Sequence, residues 1–201
     1  MSRQANLAAI LLAAGPSSRL GQPKQLVSVE GESLVRRTAR LLLDLDLFSV
    51  TVVTGYESEK VGDELSDLPA EVVHNRLWEQ GMGGSIACGV RQLSRNTDGV
   101  LIMVCDQWRV EKNDLAQLIA QWNTDISRIV VSNWNEGKAF VSGPPVIFTG
   151  NLIPEMKYLI SSEGARQVID RHMDIVEFVL MENAAFDLDR PEDLELITNR
   201  S

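Results

Sequence analysis

Short unbroken apolar runs alternate along this chain with stretches whose apolar residues recur at helical spacing. Leu7 to Leu12 is a continuous apolar run closed by Gly15, the pattern of a strand buried on both faces. Behind Ser33, a residue type suited to an N-cap, Leu34, Val35, Thr38, Leu41 and Leu42 fall on one side of a predicted helix. Val50 to Thr54 predicts a strand, Glu57 to Leu65 a polar-faced helix, and Val72-Val73 a short strand. Gly83 to Leu93 reads as a helix through Ile86, Val90 and Leu93. Val100 to Val104 is the clearest central strand, and Leu115, Leu118, Ile119 and Trp122 then recur at i, i+3, i+4 and i+7. Ile129 to Val131 and Val146 to Phe148 predict further strands. Two helical stretches, a strand from Val176 to Leu180 and a last helix from Pro191 complete the series.

Strands alternating with helices predict an α/β fold, with parallel pairing, helices on both sheet faces and right-handed crossovers. Ligands in such folds sit beyond the carboxyl ends of the strands. That brings Ala13 to Lys24 and Cys105 to Trp108 onto one rim, far apart as they are in the chain.

Composition narrows the class of protein further. A chain of 201 residues, 44% hydrophobic, suits one domain spanning 1–201 around a continuous core. A net charge of −9 argues against coating a nucleic acid, yet a few cations and backbone N–H groups can still hold a small anion. Cys88 and Cys105 have neither metal-site spacing nor a disulfide framework, so a reducing, cytoplasmic setting is expected. Arg3 ahead of Leu7 to Ala14 faintly imitates a signal peptide. The stretch is short and runs into Gly15-Pro16-Ser17-Ser18-Arg19, so it is read as the first strand. No run approaches membrane-spanning length, and a membrane partner is not expected.

The candidate chemistry begins where that first strand opens into Leu12-Ala13-Ala14-Gly15-Pro16-Ser17-Ser18-Arg19-Leu20-Gly21-Gln22-Pro23-Lys24. Small residues let a ligand approach the backbone, whose successive N–H groups form an anion-binding concavity. Arg19 adds a planar fork for phosphate oxygens and Lys24 a compact point charge. The loop is neither a Walker loop nor the Gly-x-Gly-x-x-Gly dinucleotide turn. On Gly15 and two cations alone, an exposed strand-to-helix loop with solvated cations is the leading reading.

The segment resembles Leu-Ala-Ala-Gly-x-Ser-x-Arg-(Met/Leu)-Gly-x-Pro-Lys, the signature of the MobA-like NTP transferase family. Within that family it looks most like the molybdenum cofactor cytidylyltransferases. The likeness continues through Asn75-Arg76-Leu77-Trp78-Glu79-Gln80-Gly81-Met82-Gly83-Gly84-Ser85, similar to a second nucleotide-site segment. Asp106-Gln107 stands where the family has a metal-binding Asp-Gln-Pro, Gly164-Ala165-Arg166 matches an element near the acceptor, and Asp187 to Asp193 resembles a closing Asp-Ile-Asp-Thr-Pro-Glu-Asp.

The resemblance implies a three-layer, Rossmann-like sandwich of the nucleotide-diphospho-sugar transferase type and transfer of a nucleoside monophosphate with loss of pyrophosphate. CTP is the implied donor, because Ala13-Ala14-Gly15 is similar to cytidine-using members, whereas guanosine-using relatives tend to carry Ala-Gly-Gly. The implied acceptor is a phosphorylated small molecule, molybdopterin, with hand-over of the product to a molybdoenzyme. Leu12, Ala13, Ala14, Gly15, Ser17, Arg19, Lys24, Asn75, Gly81, Met82 and Ser85 would contact the nucleotide. Arg19, Lys24 and Asp106 would carry catalysis, and Asp106 with Asp189, or Asp187 in its place, would hold Mg²⁺.

Structural alternatives stand beside these roles. Asp106 could cap the following helix, and Asp189 with Glu192 has capping-box spacing before a Pro-initiated helix. His74 and His172 are read as structural, and Trp78 and Trp122 as packing residues. Three departures fall toward the acceptor half. Trp108 replaces a proline and could offer a flat surface to an acceptor, Gly143-Pro144-Pro145 lacks a histidine, and Ser162 replaces an aspartate. They keep open a sugar phosphate acceptor, or a nucleotide-binding sensor or cofactor chaperone without turnover.

Overall fold

The computed structural model describes residues 4–160 and 164–198. In chain order the elements are β1 (Leu7–Ala13), β2 (Ser28–Val29), β3 (Glu32–Ser33), α1 (Leu34–Leu43), β4 (Ser49–Thr54), α2 (Ser58–Leu65), β5 (Glu71–His74) and α3 (Met82–Val90). They continue with β6 (Gly99–Val104), α4 (Lys112–Thr124), β7 (Ile129–Glu136), β8 (Ala139–Thr149), α5 (Ile153–Met156), α6 (Arg166–Arg171), β9 (Val176–Leu180) and α7 (Pro191–Thr198). Among the described residues no helix is long and apolar enough to cross a membrane.

Seven strands form one sheet in the order β5-β4-β1-β6-β8-β7-β9. The chain steps outward from β1 through β4 to β5, then returns to place β6 on the other side of β1. Residues after β1 and β6 therefore flank a topological switch point, where such sheets bind ligands. Register brings the strand ends level, with Leu12 opposite Val104 and Ala13 opposite Thr54.

The predicted parallel pairing holds for β1 with β4 and β6, for β4 with β5, and for β7 with β9. It fails at β8, which is antiparallel to both β6 and β7. The cause is local. Glu136 pairs with Ala139 across Gly137-Lys138, and Gly137 has a φ of +62°, so a two-residue hairpin replaces a helical crossover. The strand predicted at Val146 to Phe148 is correspondingly longer and reaches back through Pro144. A small β2–β3 hairpin across Glu30-Gly31 is an element the apolar pattern misses, because each strand is two residues long.

Strand alternation sorts the core into two layers. Leu7, Ala9, Leu11 and Ala13 of β1 pack in a cluster with residues of α1, α2 and α4. Ile10 and Leu12 pack with residues of α3, α5 and α6 on the other face. Trp122 of α4 is fully buried, as expected of a packing residue. Helix α3 lies close to the sheet because Gly89 has no side chain: a Cβ there would stand 2.8 Å from Ile10 Cγ2 and 2.9 Å from Val53 Cγ2.

This contact generates a stability prediction. Gly89→Val should overpack the α3–sheet interface and cost ~1–3 kcal/mol, read as a lower urea midpoint. An unchanged midpoint would mean that α3 can lift from the sheet without loss.

Candidate active site

The loop leaving β1 is fastened from beneath by a residue not singled out in the sequence. Gln25 is buried, and its Nε2 donates to Ala13 O (3.1 Å) and Gly15 O (2.6 Å). Both loop carbonyls are thus turned toward the protein. Ser17 adopts a left-handed backbone (φ 54°), and its Oγ accepts the Lys24 N–H at 3.1 Å. These bonds hold Lys24 at the base of the loop, while Arg19 stands on its outer edge.

The Lys24 ammonium reaches across the rim to two carboxylates distant in sequence. It forms an ion pair with Asp106 Oδ2 and lies 3.3 Å from Asp189 Oδ1. Arg19 Nη2 donates to the other oxygen of Asp189 at 2.6 Å. Side-chain exposure is 20% for Lys24, 10% for Asp106 and 27% for Asp189, against 66% for Arg19. Burial alone would lower the Lys24 pKa, but the adjacent Asp106 charge and hydrogen bond, reinforced by Cys105 and Asp189, raise it overall. Lys24 therefore stays charged at neutral pH. The Asp187 carboxyl is pushed up by burial and by its neighbours Asp106 and Asp189. Burial, then Asp106, pushes the Cys105 thiol up to about 12, which removes it as a thiolate nucleophile at neutral pH.

Capping does not account for either aspartate. Helix α4 is capped by Glu111, in a reciprocal capping box with Asp114. Ahead of α7 it is Asp193 Oδ2 that accepts the N–H groups of Asp189 (2.9 Å) and Arg190 (2.7 Å). The Asp189 side chain is left to face Arg19 and Lys24. Ser33 does stand at the N-cap of α1, but its hydroxyl donates to Glu64 Oε2 at 2.6 Å.

The expectation that Trp108 offers a flat face to an acceptor is not met. Trp108 is 4% exposed and packs in a cluster with Leu20, Val29, Leu34, Leu188 and Ile197. Leu20 follows Arg19, and Leu188 lies between Asp187 and Asp189. One apolar cluster thus ties together the three segments that carry the charges. Leu188 N adds a 3.0 Å bond to Asp106 O. The Arg109 guanidinium sits 4.7 Å from the Trp108 ring centroid and 3.7 Å from that of Phe186, closing the cluster from above.

Two cavities open on this rim and meet at Lys24, Met82, Val104 and Asp106, which line both. The first, of about 480 Å³, is walled by Leu12 to Pro16, Gln25, Trp78, Glu79, Gly81, Ser85 and Cys105. The second, of about 520 Å³, adds Arg19, Gln107, Trp134, Asn135, Glu136, Val141, Pro144, Ala184, Ala185, Asp187 and Asp189. Ser17 lines neither of these two and, with Arg19, borders a smaller side cavity. Asn75 lines none of these three. It is buried, donates to Ser85 Oγ at 3.0 Å and accepts from Leu77 N at 3.0 Å, which fixes Ser85 in the first cavity's wall. Trp78 is a wall residue of that cavity as well as a packing residue, in edge contact with Tyr56 at 5.7 Å.

Other predicted residues fall away from the second cavity. Arg166 lines a separate surface hollow and pairs with Asp170 at 3.2 Å, whereas Gly164 approaches Met82. Ser162 lies outside the described residues. His172 pairs with Glu155 at 3.1 Å, in keeping with a structural role. Gln107 Nε2 donates to Pro144 O (2.7 Å) and Ala184 O (2.9 Å), binding β8 to the turn before Asp187. Trp134, Asn135 and Glu136 were missed because β8 folds back beside β6 and carries β7 with it. The Asn-Glu-Gly-Lys turn at 135–138 was the available signal for that hairpin.

Could a divalent cation be held here? Asp106 Oδ1 is buried and accepts no hydrogen bond, and Asp106 and Asp189 already bracket one positive charge. No group of three or more metal-ligating side chains occurs among the described residues. Two carboxylates suit a Mg²⁺-like ion that keeps several waters and takes its other oxygens from substrate phosphates.

A mostly parallel sheet with paired cavities beyond its strand ends is the nucleotide-diphospho-sugar transferase fold. Residues 9–176 match the MobA-like NTP transferase domain, and the chain belongs to that family. It is 28% identical to the purine catabolism protein PucB of Bacillus subtilis, over 97% of each chain. It is 27% identical to the bifunctional protein GlmU of Mycobacterium leprae, over 65% of this chain and 28% of that one. The crystal structure of Rv0371c from Mycobacterium tuberculosis superposes with a TM-score of 0.82 at 20% identity, over 98% of this chain and 100% of that one. The same protein in complex with manganese gives 0.79 at 17%, with the same coverage. A CMP:2-keto-3-deoxy-manno-octonic acid synthetase complexed with CTP gives 0.78 at 12%, over 98% of each chain. Family and fold together support nucleotidyltransferase-type activity.

The Trp108 cluster yields the prediction from this site. Trp108→Ala should cost ~3–5 kcal/mol by emptying the cluster, and Trp108→Phe should cost less. Urea denaturation of both variants checks this. Values within ~0.5 kcal/mol of wild type would show that the indole does not hold the rim together.

Proposed function

We propose that residues 1–201 act as one nucleotidyltransferase domain that moves CMP from CTP to a phosphorylated acceptor, molybdopterin, and releases pyrophosphate. The observation that carries this reading is that two ligand-sized cavities share Lys24 and Asp106 at their junction. A donor in the first cavity and an acceptor in the second would meet where the charges are concentrated. An acceptor phosphate oxygen would attack the α-phosphorus there, and the P–O bond to the departing pyrophosphate would break. No protein nucleophile is required. Catalysis is positioning together with neutralisation of charge.

In this reading Leu12, Ala13, Ala14, Gly15, Gly81, Met82 and Ser85 contact base and ribose, with Asn75 holding Ser85. Ser17, Arg19 and Lys24 receive the phosphates. Asp106 and Asp189 hold Mg²⁺, which when bound neutralises phosphate charge and orients the reacting oxygens. The manganese complex of Rv0371c supports a divalent ion, and the CTP complex of the octonic acid synthetase supports a cytidine donor. Molybdopterin and hand-over to a molybdoenzyme rest on the resemblance of the sequence signatures. We place the reaction in the cytoplasm, where Cys88 and Cys105, both free, stay reduced.

Base choice follows from the loop. Ala14 lines the first cavity, where its methyl group would leave a base less room than glycine, and its carbonyl is engaged by Tyr56 N at 3.0 Å. Calorimetry in Mg²⁺ is expected to show tighter binding of CTP than of GTP, and GTP binding equally or better would overturn the cytidine assignment. Turnover is read by pyrophosphate release over a panel of triphosphates and acceptors. Lys24→Ala should lower it on the order of tenfold to a thousandfold, and Asp106→Asn should demand more Mg²⁺. Normal turnover in both folded variants would remove these residues from the chemistry. A protein that binds CTP but releases no pyrophosphate with any acceptor would be a sensor or chaperone.

A further inference from the structure

We infer that Lys24 is an internal counter-ion occupying the cation position between Asp106 and Asp189, so that divalent cation and triphosphate bind as a coupled pair. The inference rests on the proposed reading of those two aspartates as metal ligands. Its basis is the geometry of one ammonium group shared by two largely buried carboxylates. Two such carboxylates beside Asp187 in one cavity carry a large desolvation penalty unless a cation stands among them. Lys24 engages Asp106 Oδ2 while Oδ1 accepts nothing, and a divalent ion brought to Oδ1 and Asp189 would stand against the ammonium charge. Either Lys24 or the metal holds the position.

Lys24 also has somewhere to go. Its side chain lines both cavities, and the loop behind it is fixed by Gln25 and Ser17. A triphosphate laid against the loop gives the ammonium new oxygen partners and leaves the carboxylates to a metal. Arg19, mostly exposed, can leave Asp189 at small cost. The two ligands thereby assist one another through an exchange of partners. By reciprocity, each raises the affinity of the other by the same factor. A lysine that stood clear of these oxygens would leave metal binding by the nucleotide-free protein nearly unchanged.

The experiment is a Mn²⁺ titration of the full chain without nucleotide, followed by electron paramagnetic resonance of the free ion. Wild type is compared with Lys24→Met, Lys24→Gln and Arg19→Ala, and with Asp106→Asn in the wild-type and Lys24→Met backgrounds. Circular dichroism selects the folded variants, and either lysine variant suffices. Removing the ammonium should tighten Mn²⁺ binding on the order of tenfold. Arg19→Ala should give a smaller gain, and Asp106→Asn should weaken binding in the Lys24→Met background. Mn²⁺ binding that is equal or weaker in both lysine variants, yet still lost with Asp106→Asn, overturns the exchange and leaves the metal site standing. Binding indifferent to Asp106 in both backgrounds overturns the exchange and the metal reading together.

Discussion

The ion pair between Lys24 and Asp106 is the constraint around which the rim is arranged. One partner follows β1, the other follows β6, and they meet because Leu12 and Val104 are in register across adjacent parallel strands. Asp189 joins them from the far end of the chain, on a segment anchored by the buried Leu188 and by its bond to the Asp106 carbonyl. Charges of this density near the surface of a core would be unstable in isolation. Here each stands beside a partner of opposite sign, and the apolar cluster holds together the segments that carry them.

That cluster also shows how Trp108 restrains the segment after β6, where the resemblance in sequence leads one to expect proline. A proline stiffens the chain by fixing its own φ, whereas Trp108 stiffens it by filling space among Leu20, Leu34 and Leu188. The restraint is tertiary instead of local, and it reaches more of the site. Gln25 and Gln107 work in a similar way. Each uses a side-chain amide to bind two backbone carbonyls, Gln25 those of Ala13 and Gly15 and Gln107 those of Pro144 and Ala184, so the walls of the cavities are hydrogen-bonded to the core behind them.

The two cavities differ in how they are built, and the difference suits two ligands. The first is made from β1 and its loop, the segment from Trp78 into the start of α3, and the end of β6, on the two sides of the switch point. The second depends on β7, β8 and the segment before α7, which the antiparallel insertion of β8 brings together. Similarity to PucB extends along the whole chain, whereas the match to GlmU covers about two thirds of it.

The sequence by itself determined most of the elements, the alternation of strands and helices, and the identity of the glycine-containing loop with Arg19 and Lys24. Those features depend on periodicity and on turn residues, which act over a few positions and can be read from them. It also named Asp106 and Asp189 but left each between a cap and a ligand, because spacing alone cannot say which carboxylate a helix uses. Tertiary structure removed the capping role from Asp189 by giving the α7 cap to Asp193, and it turned Asp189 toward Lys24. It buried Trp108, recruited Gln25, and brought Trp134 and Glu136 to the second cavity through the return of β8. Burial and charge pairing depend on which segments become neighbours in space. That choice is made by strand order and register, through contacts between residues as much as 170 positions apart.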